Sequence, residues 1–294
     1  MPAARRRVLH LSDLHLNARG EIRYGVDADL ELGAVLDSCA SLGELAAVIV
    51  TGDVADDGSE AAYSRAREVL LDFARAHCAR LVLCVGNHDD RGAFTRSLGS
   101  GHIGAEGNDC AVATGPAGRV CAVSEAGGVR IVTLDSLVPG KWYGHLGAGQ
   151  LRWAAAVLTG EQPSILAFHH PPVDLGVEIQ QRVGLEDRDG LAAVVRPQLV
   201  TAILCGHFHQ QIAGSVNGVP TWVTAGVFTR IDHLTGPPGS EKAFTGGSAT
   251  LVDLTQPAQP VFAAIPGPGR DSRLAYQTDL EAIEGDLRVF GIPL

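Results

Sequence analysis

The chain has 294 residues, of which 46% are hydrophobic and 19% charged, an ordinary globular composition at a length well able to bury a core, which excludes disordered, collagen-like and small disulfide-scaffold classes. With 23 Lys plus Arg against 33 Asp plus Glu, the formal charge is −10; general adhesion to long nucleic acid or to an anionic membrane is disfavoured, so any phosphate chemistry needs a local site. The six cysteines (Cys39, Cys78, Cys84, Cys110, Cys121, Cys205) form no CxxC, and four lie beside apolar residues, the pattern of reduced buried thiols in a cytoplasmic protein.

Arg5 to Arg7 precede an apolar stretch that His10 and Asp13 interrupt at once, so no export signal is expected. Strands are expected at residues 8–12, 46–51, 81–85, 129–134, 165–168 and 202–205, all near-continuously apolar, as buried central strands are. None approaches the roughly 18 residues needed to span a bilayer, and a soluble protein is expected. Helical patterns occupy 29–42 and 59–77, the second with Tyr63, Ala66, Val69, Leu70, Phe73 and Ala74 as its apolar face behind a Ser59 N-cap. Shorter helices are expected at 150–158 and 191–195. Strands alternating with helices predict an α/β core with helices outside the sheets.

Beyond Gly206, residues 212–216 and 219–223 flank Asn217-Gly218, the signature of a hairpin with a type I′ turn. Strands at 249–254 and 261–265 follow. These C-terminal strands are expected to complete a second sheet packed on the first, within one domain over 1–294. The Gly/Pro-rich stretches 99–118 and 236–247 are expected as surface loops, and the pattern gives no place to the tail at 266–294.

Five strand exits carry candidate metal ligands: Asp13-Leu14-His15, Gly52-Asp53, Gly86-Asn87-His88-Asp89, His169-His170 and Gly206-His207-Phe208-His209. In an open α/β sheet, ligands bind outside the carboxyl ends of the strands, so clusters far apart in sequence can meet in one crevice. Carboxylates, an amide carbonyl and imidazoles together suit Fe, Mn, Zn or Co better than Ca or a thiolate site. Residues i and i+2 of an extended segment project to one side, so Asp13 with His15, and His207 with His209, are each expected to converge. Gly52, Gly86 and Gly206 directly precede ligands, where a missing Cβ lets the backbone turn sharply or approach ions closely. His10, His77, His102 and His233 are read as structural or solvated.

These five blocks, in this order, resemble the signature of calcineurin-like metallophosphoesterases. Gly86-Asn87-His88-Asp89-Asp90-Arg91 and His169-His170-Pro171-Pro172-Val173 further resemble the class III cyclic nucleotide phosphodiesterase subgroup. The resemblance implies a four-layer αββα sandwich of two mixed sheets flanked by helices. It implies two divalent or trivalent metal ions, Asp13, His15, Asp53 and His209 holding one and Asp53, Asn87, His169 and His207 the other, with Asp53 bridging. It favours His169 over His170 as the ligand and places His15, Asn87, His88 and His209 against substrate. Two cations about 3.5 to 4 Å apart acidify a water and neutralise phosphoryl oxygens. The implied reaction is in-line attack by a metal-bridging hydroxide on a small phosphodiester, foremost a 3′,5′-cyclic nucleotide of the cAMP type. Glycerophosphodiesters, other small diesters or monoesters are the alternative. His88 would contact phosphate or protonate the leaving alkoxide.

Several neighbouring residues keep two readings. Asp89 either fixes a histidine or caps its own loop. Arg91 either meets phosphate or pairs with Asp90. Trp142 and Tyr143 either stack on a nucleobase or pack their loop. Tyr143 stands where the subgroup pattern places a histidine before Gly144, and His145 is the alternative source of that imidazole. Substrate choice is expected to lie in residues 92–118, 138–146 and 174–188. A homodimer is compatible with the sequence. A non-catalytic adaptor of the same fold would lack ligands, and all are present.

Overall fold

Strands that are apolar at every position need a hydrophobic partner on both faces, and the fold supplies two. The computed structural model describes residues 6–159, 162–237, 240–267 and 274–279. In chain order the elements are β1 (Arg7–Leu11), α1 (Ala28–Cys39), β2 (Ala47–Val50), α2 (Glu60–Ala76), β3 (Arg80–Leu83), α3 (Arg91–Leu98), β4 (His102–Ile103), β5 (Ala113–Thr114), β6 (Ala122–Ala126) and β7 (Val129–Thr133). There follow α4 (Ala148–Val157), β8 (Ser164–Ala167), α5 (Glu178–Val183), α6 (Arg188–Val194), β9 (Ala202–Cys205), β10 (Ile212–Val216) and β11 (Val219–Val223). The last are β12 (Arg230–Asp232), β13 (Ser240–Phe244), β14 (Ser248–Asp253), β15 (Val261–Pro266) and β16 (Leu274–Asp279).

One mixed sheet runs β15-β14-β1-β2-β3-β4 and a second β10-β11-β9-β8-β7-β6-β5. Alternate residues divide the labour. Val8, Ile49 and Val82 of the first sheet pack on Ile131, Ile165 and Leu204 of the second. Their neighbours Leu9, Val48 and Leu81 face outward to the cluster containing α1, α2 and α3, while Val132, Leu166 and Ile203 face the cluster containing α4 and α6. Three apolar interfaces between four layers give the expected αββα sandwich, each such side chain contributing about 1.5–3 kcal/mol of burial. Helix α2 begins as expected, the Ser59 hydroxyl accepting from the Ala62 N–H at 3.3 Å. Its apolar stripe is narrower than expected: Tyr63, Ala66, Leu70 and Ala74 are buried, whereas Val69 is 43% exposed, at the stripe's edge.

The C-terminal strands depart from expectation. The hairpin β10–β11, with Asn217 at φ 47° and Gly218 at φ 78°, does extend the second sheet, β11 running parallel to β9. β14 and β15 instead return to the first sheet, where β14 pairs antiparallel with β1. The reason is physical: β1, apolar on both faces, is unsuited to a solvent edge. The stretch 99–118 contains β4 and β5. β13, within 236–247, pairs with β12 and with β16 to form a third sheet in the order β12-β13-β16. Of the tail, 274–279 is thus placed, while 268–273 and 280–294 lie outside the described residues. Among the described residues no helix is long and apolar enough to cross a membrane. All six cysteines are free; Cys39, Cys84, Cys121 and Cys205 are buried, and Cys78 is exposed.

Candidate metal centre and active site

Parallel pairing of β1 with β2, β2 with β3 and β8 with β9 puts their carboxyl ends side by side. Pairing continues into the loops, where the Asp13 N–H donates to Gly52 O at 3.1 Å and the His15 N–H to Asp53 O at 3.0 Å. The His207 N–H closes the gap between the sheets by donating to the Asp13 carboxylate at 3.0 Å. Convergence does not come from extended alternation. Asp13 (φ 56°), His15 (48°), Asp53 (48°), His207 (71°) and His209 (48°) are all in the left-handed region, which costs about 1–3 kcal/mol per residue and is typical of functional loops. Close approach explains two glycines: a Cβ on Gly86 would lie 2.2 Å from Asp53 Oδ1, and one on Gly206 1.7 Å from Ser12 Oγ.

Three imidazoles are oriented from behind. His15 Nδ1 faces the Asp56 carboxylate at 3.2 Å, His169 Nδ1 the Thr51 carbonyl at 2.7 Å, and His209 Nδ1 the Thr229 carbonyl at 3.0 Å. An Nδ1–H donated to each acceptor leaves the Nε2 lone pairs turned inward, as metal-ligating histidines are held. What they meet there is negative. His169 Nε2 is 3.2 Å from Asp53 Oδ2 and 3.0 Å from Asn87 Oδ1, His15 Nε2 is 3.8 Å from Asp53 Oδ2, and His209 Nε2 is 3.5 Å from Asp13 Oδ1. Lone pairs facing carboxylates require a positive charge between them, so this donor set fits cations. Asp53 reaches both groupings: His15 on one side, His169 on the other. His207 adds Nδ1 3.2 Å from His169 Nε2, and its buried Nε2 has no hydrogen-bond partner.

Charge states express the same tension. Burial alone would raise the Asp53 carboxyl, yet His169, His88 and His15 hold it well below the usual carboxylate range. Burial would lower His169, but Asp53 and Asp13 push it up to about 9. His88 is pushed down to about 4 by burial and by its histidine neighbours, against the pull of Asp53. Its backbone N–H donates to Asp53 Oδ1 at 2.9 Å and its Nδ1 is 3.2 Å from the Asp56 carbonyl, which keeps Nε2 for the cavity. That cavity, of about 400 Å³, has Asp53, Asn87, His88 and His207 on one wall and Ile231, Glu241 and Tyr276 of the third sheet among its others.

The profile of the calcineurin-like phosphoesterase family matches residues 6–211. The chain belongs to that family. It is a metal-dependent phosphoester hydrolase, and the matched span contains every residue of the centre. Three curated phosphoesterase relatives are a cAMP/cGMP dual specificity phosphodiesterase of Mycobacterium tuberculosis, 35% identical over 88% of this chain and 79% of the relative; the 3′,5′-cyclic adenosine monophosphate phosphodiesterase of Escherichia coli, 32% identical over 73% and 74%; and a glycerophosphodiester phosphodiesterase of Enterobacter lignolyticus, 30% identical over 68% and 69%. A crystal structure of a candidate 5′-nucleotidase from Staphylococcus aureus shares the fold, with a TM-score of 0.51 at 13% identity, over 96% of this chain and 58% of that one.

Around this phosphoesterase centre the open alternatives resolve. Asp89 ties loops together: its carboxylate accepts from the Gly86, Val54 and Ala55 N–H groups and from the Tyr63 hydroxyl. Asp90 caps α3 by accepting from Ala93 N–H at 2.7 Å. Arg91 does not pair with Asp90; it forks onto buried Asp135 at 2.6 and 2.7 Å, a carboxylate that also accepts from the Val120 and Leu137 N–H groups. His170 is buried beside His169, its Nδ1 2.8 Å from Ser136 Oγ, and with His169 and His207 it forms a further group that could hold a metal. Trp142 lines the cavity edge-on to His88, 5.5 Å between centroids, whereas Tyr143 and His145 are not among the residues lining it. His10 and His102 are structural, bonded to Thr51, and to Ser124 and Thr133, respectively. The His233 side chain is buried at the cavity wall, its Nε2 3.3 Å from Glu241 Oε2. Sequence reasoning missed Asp56, Thr229 and the third sheet. Asp56 alone had a visible signal, as the next carboxylate after Gly52-Asp53.

Proposed function

We propose that this phosphoesterase hydrolyses small phosphodiesters, foremost 3′,5′-cyclic nucleotides, at a centre of two metal ions that share Asp53. The single observation that carries the reading is the set of three outward-anchored imidazoles whose Nε2 atoms face Asp13 and Asp53. Asp13, His15 and His209 would hold one ion and Asn87, His169 and His207 the other, from among Fe, Mn, Zn or Co. When bound, two such ions acidify a water and neutralise phosphoryl oxygens. The relatives acting on cAMP and cGMP support the substrate class.

The protein's own groups do the rest. Asp56 and the Thr51 and Thr229 carbonyls hold the imidazoles in one tautomer and one direction. His88, with Nδ1–H on the Asp56 carbonyl, offers Nε2 to the cavity; an arriving anionic diester favours its protonated form, and that proton is available to the leaving oxygen. His15, Asn87 and His209 border the same space and are assigned to the substrate's phosphate. The cavity wall of Trp142, Ile179 and Phe228 suits an apolar or aromatic substituent on that phosphate. Glycerophosphodiesters form the second reading, favoured by the relative that acts on them. Manganese-loaded protein assayed on cyclic nucleotides, glycerophosphodiesters and phosphomonoesters tests both: the highest kcat/KM is expected on a cyclic nucleotide, and preference for a monoester would refute the diester assignment.

A further inference from the structure

The third sheet forms the wall of the cavity that family motifs do not reach. Its register sets Glu241 opposite Thr278, Ala243 opposite Tyr276, and Ile231 opposite Ala243. Ile231, Glu241, Tyr276 and Thr278 therefore share one face, and all four line the cavity with Asp53 and His88. Among the described residues, Glu241 is the one carboxylate that this sheet brings to the wall. Its oxygens are held separately: Oε1 accepts from the Tyr276 hydroxyl at 3.1 Å and Oε2 lies 3.3 Å from His233 Nε2. His233 Nδ1 is in turn 3.2 Å from Gln210 Oε1 and from Gln180 Nε2. One partner per oxygen fixes the carboxylate and leaves each oxygen a further lone pair.

We propose that Glu241 is a specificity-determining residue that reads the donor edge of a nucleobase and ranks guanine above adenine. The proposal rests on the cyclic nucleotide reading above. A diester held at the centre carries its charge there, so a carboxylate elsewhere on the wall repels a second anion and accepts from donors. Guanine offers two adjacent donors, N1–H and the N2 amino group, which match two carboxylate oxygens. Adenine offers the N6 amino group beside the acceptor N1, which a carboxylate leaves unpaired, and sites built for hydrogen bonds discriminate strongly on that basis. Trp142 and Tyr276, which line the same cavity, supply aromatic surface for a base.

Glu241→Gln tests this, because an amide presents one donor and one acceptor, the complement of adenine. Guanosine and adenosine binding is measured by calorimetry, and kcat/KM for cGMP and cAMP in parallel. The guanine-to-adenine ratio is expected to fall about tenfold in both measurements, with circular dichroism and metal content as in the wild type. An unchanged ratio, or an equal loss on both bases as a purely structural role produces, overturns the proposal. Should wild-type protein cleave bis(4-nitrophenyl) phosphate but no cyclic nucleotide, the substrate reading falls by itself, and the nucleoside binding ratio alone decides the role of Glu241. If Glu241→Gln does not fold, Tyr276→Phe, which releases Oε1, is put to the same ratio test with the same deciding outcomes.

Discussion

The two walls of the cavity are fixed by different means. At the strand exits, Asp13, Asp53, His169 and His209 hang from loops pinned by backbone hydrogen bonds, left-handed residues and glycines that admit no Cβ. At the third sheet, Ile231, Glu241 and Tyr276 sit on short antiparallel strands and are held by one another's side chains. The first arrangement resists change because backbone, ligand and orienting acceptor are interlocked. The second is open to exchange of single side chains, and the proposed reading gives the chemistry to one wall and the choice of substrate to the other.

Substitutions at the centre test that division most severely. Asp53→Ala removes the carboxylate proposed to be shared by the two ions, and kcat/KM is expected to fall at least about 10³-fold with loss of both ions, checked by elemental analysis beside kinetics; retained activity would break the assignment. His88→Ala should keep its metal and lose about 10²-fold or more in kcat, the loss being steeper for alkoxide than for nitrophenolate leaving groups. Equal losses would reduce His88 to a phosphate contact.

Protons compete with metal at the same wall. His169, pushed up to about 9 by Asp53 and Asp13, is protonated in the metal-free protein at neutral pH and must lose that proton to ligate. Apparent metal affinity should therefore rise with pH, by about tenfold per unit until roughly pH 9, then level off; competition titration against a chelator measures it, and a flat profile would show that no proton leaves. Asp56→Ala frees His15 to turn and should weaken metal binding or activity by about 10- to 100-fold. The smallest effect belongs to the aromatic lining of the cavity: Trp142→Ala should raise KM for a cyclic nucleotide by a factor on the order of 5 to 10, with kcat little changed.

How much of this was legible in sequence follows the same division. The central strands announce themselves because burial on both faces demands unbroken apolar runs, and the ligand types stand directly at their exits. The left-handed backbone was not read: Asp and His adopt positive φ more often than most residues, but only tertiary contacts decide which of them do so. Thr229 acts on His209 through a backbone carbonyl, which no residue type marks, whereas Asp56, which faces His15, was visible only as a carboxylate soon after Asp53. The pairing of Arg91 with Asp135 rather than with Asp90 was not foreseen because Asp135 lies at another strand exit. The third sheet escaped notice because three- to six-residue strands with half-buried residues carry too little periodicity, and β14 was assigned to the wrong sheet because alternation gives a strand's faces but not its neighbour.

The left-handed conformation of Asp13, His15, Asp53, His207 and His209 limits how such a centre can be moved by design. Copying the seven side chains onto the ends of ordinary straight strands in another scaffold would aim them at both sides of its sheet. A transplant must carry the loops themselves, with the glycines and rear carbonyls that hold them, which makes the loop rather than the residue the smallest unit that can be grafted.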